Sequence, residues 1–198
     1  MRNRLRTHPV TLILLLASVR LLAVPGQLSA QDASADAEWS AEGRLHAYVR
    51  DLIGPGALVG TAVATAVDQM RDDPPEWGDG GEGLARRAAS NLGRASVEQT
   101  VRHGLAVALG RSTRYQRCDC RGLGARVGHA VVETVTDRNR AGERGVSIPR
   151  FAGIVAAVLA QPLWRPDVST DEVVVSVGST VVFEAAGNAV KEILGWPR

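Results

Sequence analysis

The stretch DEVVVSVGSTVVFEAAGNAVKEILG, residues 171–195, decides the fold. Its first half is rich in valine, with threonine and phenylalanine, and β-branched and aromatic content of that kind argues for a strand. Three features argue for a helix. The run is far longer than the roughly 10 residues at which most strands end. It finishes on the helical sequence AAGNAVKEILG, and Ser169-x-x-Glu172 just ahead has the spacing of a capping box. We read a helix, which makes the whole chain all-α.

Upstream, Ser147 and Pro149 form an N-cap and early-turn proline before RFAGIVAAVLAQPLW, residues 150–164. From Phe151 to Ala160 this segment is apolar on every side, so it is either central to the fold or in contact with lipid. A run nearer to about 12 apolar residues than 20 favours a buried core helix. Further back, Val127, Val131 and Val135 stack on a helix over 123–137. The capping box Ser96-x-x-Gln99 opens another, to Leu109, with a stripe of Val97, Val101, Leu105 and Leu109. A separate helix over 81–93 carries Leu84, Ala88 and Leu92 on one face. Pro55 starts a helix that runs to about Met70 with Gly56, Gly60, Ala62 and Ala66 along it, and RDDPPEW ends it. A short helix covers 44–53, residues 31–43 form a flexible acidic lead-in, and DRNRAGERGVS is an exposed loop. The expectation is one compact domain, 44–198, a bundle of about five or six Gly/Ala-rich helices.

The first thirty residues predict the compartment. Arg2, Arg4 and Arg6 precede an apolar run from Val10 to Val19, and LSAQD allows cleavage after Ala30, the layout of a secretory signal peptide. Arg20 interrupts the run, which leaves it short of the roughly 20 apolar residues of a membrane span. With the signal go four of the 23 basic residues and none of the 21 acidic ones, for a net charge of −2. Bulk charge therefore gives nucleic acid no attraction. Export to a periplasm or cell envelope is expected.

Chemistry is harder to find. Gly78-x-Gly80-x-x-Gly83 has the spacing of a dinucleotide loop, but DDPPEW in front of it cannot be a central strand. Asp79 and Glu82 also place negative charge where a pyrophosphate would sit, so the glycines read as a pliable joint and no cofactor is expected. Cys118-x-Cys120 in an exported chain reads first as a disulfide. Its tiny ring makes it comparatively easy to reduce. With His103 and His129 the two thiols would make a zinc ligand set on paper. His129 and Glu133 share a helical face, as acid–base partners or, more commonly, as a surface pair. No catalytic residue is assigned. Trp39, Trp77, Trp164 and Trp196 all sit at element ends, as plugs of a small-residue bundle or as feet at a membrane interface.

The order of motifs resembles an uncharacterised family of exported, all-helical bacterial proteins. Its members read E-W-G-x-G, K-R-F, D-P-R-Y, a Ser-started Gly/Ala helix, Y-Y-P and N-x-x-K-E. Here the counterparts are Glu76-Trp77-Gly78-x-Gly80, Arg86-Arg87, Arg114-Tyr115, Ser147 with Gly153, Trp164-x-Pro166, and Asn188-x-x-Lys191-Glu192. Ser112-Thr113 replaces the D-P, and the cysteine pair is not part of the pattern. The resemblance implies export and a helical fold, and implies no activity. Two functional readings follow. The first is a non-catalytic envelope protein that contacts a membrane, a protein partner or its own copies. The alternative is a redox or zinc protein built on Cys118 and Cys120.

Overall fold

A computed structural model describes residues 38–165 and 170–194. The signal segment 1–30 lies outside those residues, as do most of the acidic lead-in, Pro166, Ser169 and Trp196. Helix α1 spans Ala41–Ile53, α2 Pro55–Arg71, α3 Gly81–Ala108, α4 Leu123–Val135, α5 Ile148–Ala160 and α6 Thr170–Leu194. The fold is all-α. Among the described residues one small sheet pairs β1, Thr136–Arg138, with β2, Arg144–Val146, in antiparallel register.

Residues 171–194 of the opening stretch are helical, as its length and finish predict. Local chemistry explains most other ends. Ser40 caps α1 by accepting from Gly43 N–H, which starts the helix three residues ahead of the expected position. Glu38 is bonded to Ser112, and the Trp39 ring has the guanidiniums of Arg44 and Arg140 at 5.0 and 5.4 Å from its centroid. Residues 38–43 of the lead-in thus carry these contacts and the first turn of α1. Pro55 stands at the start of α2, and Asp72 ends it in a left-handed conformation. Ser147 occupies the N-cap position of α5, but its hydroxyl makes no capping bond.

Two expectations are corrected. The helices at 81–93 and 96–109 are one helix of 28 residues. Ser96 does not cap; its hydroxyl donates to Leu92 C=O one turn back, which a helix interior tolerates. The loop expected at DRNRAGERGVS folds partly into the β1–β2 hairpin, which turns tightly enough to need Gly142 at φ 82°.

Packing pairs α3 with α5 and α4 with α6, while α2 and α1 lie against α3. Helix α5 is the apolar centre: Ile154, Ala157 and Val158 are fully buried. Gly153 allows this helix to approach α3, since a Cβ there would stand 2.7 Å from Glu98 C=O. No helix among the described residues is long and apolar enough to cross a membrane.

Candidate functional site

Beyond α5 the interior is polar. The residues that α3 buries are Gly83, Arg87 and Ser90 towards its start and Glu98, Arg102, His103 and Ala106 towards its end. Leu84 and Leu92, on the stripe that hydrophobic spacing assigned inward, are exposed. On α4 the buried residues are Ala130, Glu133 and Thr134, while Val127 and Val131 face out. On α6 a row at strict four-residue spacing, Thr180, Glu184, Asn188 and Glu192, faces the neighbouring helices, and Phe183 is 62% exposed.

The α6 row holds the bundle together. Thr180 Oγ1 accepts from both Arg94 Nη atoms, at 3.1 and 3.0 Å. Glu184 pairs with Arg150 at 2.5 Å and with Arg102 at 3.6 Å. Asn188 donates to Thr134 Oγ1 at 2.9 Å. Glu192, 1% exposed, accepts from Tyr115 O–H at 2.9 Å and from Cys118 N–H at 3.1 Å. Burial alone would raise the Glu184 pKa, but the Arg150 and Arg102 guanidiniums outweigh it and hold the carboxyl below its ordinary value. Burial, reinforced by the charge of Glu184, raises the Glu98 carboxyl. Burial and then the Glu192 carboxylate push the Tyr115 phenol well above its ordinary value.

A second polar knot fixes the joint between α2 and α3. Arg87 is 1% exposed, and its guanidinium makes five bonds. Nε donates to Asp73 C=O at 2.9 Å. One Nη reaches Gln69 Oε1 at 2.8 Å and Gly78 C=O at 2.6 Å, and the other Asp72 Oδ1 at 2.9 Å and Pro74 C=O at 2.8 Å. Gly78 has φ 68°, and a Cβ on Gly83 would stand 2.2 Å from Gly78 C=O. Gly83 thus serves a close backbone approach, and Gly78 supplies the left-handed turn beside it. Trp77 and Trp164 line a groove of about 430 Å³ with Arg86, Ser90 and Gly93. Trp164 Nε1 donates to Ser90 Oγ at 3.0 Å, and the Trp77 ring lies under Arg165.

The sequence motifs thus meet in pairs. Trp77-Gly78 is bound by Arg87, Tyr115 by Glu192, and Gly153 packs on α3. Arg114 is the exception among them: it is exposed, and among the described residues its backbone N–H is engaged, by Ser112 Oγ, and its side chain is not. Gly80 is the N-cap residue of α3.

The four candidate metal ligands divide. Cys118 and Cys120 form a disulfide, and a ring nitrogen of His129 lies within 4.8 Å of both sulfurs. His103 is engaged elsewhere, with Asp51 Oδ2 at 3.2 Å and the Tyr48 ring edge-on at 5.5 Å. His129 and Glu133 do not act on each other. Glu133 binds Arg138 at 3.2 Å and Arg144 at 2.5 Å, which ties the hairpin to α4.

No family model, curated protein or solved structure matches this chain. The class is therefore set by the fold itself: an all-helical protein with a charged interior and apolar outer helix faces.

Proposed function

We propose that this chain is an exported, non-catalytic protein of the cell envelope whose helix faces lie against a lipid surface. One observation carries the reading. Every helix exposes large apolar side chains while the arginines and carboxylates between the helices neutralise one another. Leu45 on α1, Val59 on α2, Val107 on α3, Leu123 on α4, Leu159 on α5 and Phe183 on α6 are all more than half exposed. A protein partner covers one patch, of about 800 Å² a side in a standard interface. Apolar residues spread over six helices fit an apolar solvent better than they fit one partner. No helix among the described residues has spanning length and character, so their contact is placed at the interfacial layer.

The signal-peptide layout of residues 1–30 supports delivery to the envelope. The net charge of −2 expected after its removal gives anionic headgroups no bulk attraction, so binding rests on apolar burial. The test is fractionation of cells expressing the chain, followed by a high-salt wash of the membranes. The protein stays with the membrane fraction through the wash. Recovery wholly in the soluble fraction would refute the proposal, and release by salt alone would replace apolar contact with a charge-based one.

A further inference from the structure

The Cys118–Cys120 pair has a neighbour that a purely structural disulfide does not require. We propose that, once this disulfide is reduced, Cys118, Cys120 and His129 bind one zinc-class divalent cation per chain. In tetrahedral zinc sites the metal–sulfur and metal–nitrogen distances, about 2.3 and 2.0–2.1 Å, place ligand atoms roughly 3.6–3.8 Å apart. The three ligand atoms here already lie within 4.8 Å of one another. Side-chain rotation suffices to close the set once the sulfurs are free.

The surroundings of His129 are those of a ligand histidine. Its Nε2 lies 2.7 Å from Gln116 C=O. A carbonyl only accepts, so Nε2 is the donor, and in the neutral imidazole that leaves the Nδ1 lone pair for a metal. A histidine that donates its second ring N–H to a backbone carbonyl is oriented as metal-bound histidines are. The Tyr115 ring packs edge-on against the imidazole at 6.3 Å and restrains it further.

The cysteine loop is pinned at both ends. Cys118 N–H donates to Glu192 Oε1 at 3.1 Å, and Arg126 Nε donates to Cys120 C=O at 3.2 Å. The metal would therefore enter a frame that α4 and α6 already hold. Arg126 and the Arg117–Glu192 pair, at 4.0 Å, bound this end of the bundle. All three ligand residues are partly exposed, so a reductant and a metal can reach them.

The chemistry balances in two stages. An external dithiol gives two electrons and two protons to the Cys118–Cys120 bond and becomes a disulfide itself. The cation then displaces the two thiol protons to solvent, forming two metal–sulfur bonds and one metal–nitrogen bond with no further electron transfer. Three protein ligands leave a fourth tetrahedral position for water. Oxidation of the pair removes both thiolates, so loading follows the redox state.

The experiment is a titration of the purified chain with Co²⁺ and then Zn²⁺ under anaerobic conditions, before and after reduction with a phosphine. Reduced protein develops a thiolate-to-cobalt charge-transfer band that saturates at one metal per chain and is bleached by Zn²⁺. Oxidised protein shows none. Cys118→Ser and His129→Gln each weaken zinc binding by about tenfold or more in a chelator competition, and the exposed His46→Ala does not. Far-UV circular dichroism of each variant separates lost ligation from lost fold. No charge-transfer band, equal binding before and after reduction, or His129→Gln in a folded protein within twofold of the parent would each overturn the proposal. The outcome is independent of whether the helix faces meet lipid.

Discussion

Replacing Arg87 tests whether the joint between α2 and α3 is held as described. Its guanidinium donates five hydrogen bonds, three to main-chain carbonyls, one to Gln69 and one to Asp72, from a side chain with no solvent exposure. Lysine offers three donors from a single atom, so Arg87→Lys leaves at least two acceptors without a partner. A hydrogen bond to a charged donor contributes about 1.5–3 kcal/mol, and water reaching the half-exposed Asp72 recovers part of it. The expected loss is about 3 kcal/mol, or on the order of 6–12 °C in Tm for a domain of this size. Arg87→Met, which satisfies none of the five, should cost more still. Asp72→Asn should couple to Arg87 by only about 1 kcal/mol or less, because solvent screens that pair. The assay is urea and thermal unfolding followed by circular dichroism at 222 nm. A loss under about 1 kcal/mol for Arg87→Lys with unchanged m, or a Met variant as stable as the parent, would refute the reasoning.

Glycines divide by what a methyl group would meet. Gly153→Ala puts a Cβ 2.7 Å from Glu98 C=O and should destabilise by about 1–3 kcal/mol, whereas Gly104→Ala in open space inside α3 should stabilise by about 0.5–1 kcal/mol. Equal melting temperatures for the two variants would contradict this. The buried carboxylates predict opposite pH slopes. Glu184, held below its ordinary value, contributes stability that is present above the unfolded-state pKa of about 4.3 and is lost as pH falls through the folded value. Glu98, raised, contributes stability that is present below that value and is lost as pH rises. Glu184→Gln should therefore cost stability at pH 7 and little at pH 3, while Glu98→Gln should flatten the decline that sets in as pH rises above the unfolded-state value of about 4.3. Urea midpoints across that range decide, and parallel curves for both variants would rule the assignment out. Tyr115, held protonated by burial and Glu192, should show no phenolate absorbance in the folded protein at pH 11. A Tyr115→Phe variant that removes phenolate signal at that pH would contradict it.

Helix positions were legible because length, proline and glycine punctuation speak locally. Pro55, RDDPPEW and the finish of 171–195 placed α2 and α6 without knowledge of the partners. What did not follow was which face each helix buries. Hydrophobic spacing assumes that water is outside, and so put Leu84, Leu92, Val127 and Val131 inward. The structure buries Arg87, Glu98, Arg102, Glu133 and Glu192 instead. A signal existed: the four-residue spacing of Thr180, Glu184, Asn188 and Glu192 is a polar stripe as regular as any apolar one. Its meaning depended on arginines distant in the chain. The merging of two helices into α3 was missed for a related reason, since Ser96 can cap a helix or bond back to Leu92 within one. Of the cysteine site, sequence supplied three correct neighbours and one, His103, that the fold commits to Asp51. No spacing rule fixes such a set when its members lie on different elements.

Vesicle flotation tests the central claim most directly. The purified, detergent-free chain is mixed with zwitterionic vesicles at high salt and spun through a density gradient. Exposed apolar faces around a charged interior predict that the protein rises with the lipid and does so equally well when anionic lipid is added. A monodisperse protein that stays at the bottom of the gradient, with Phe183 and Leu159 as exposed to water as they are in the structure, would contradict it.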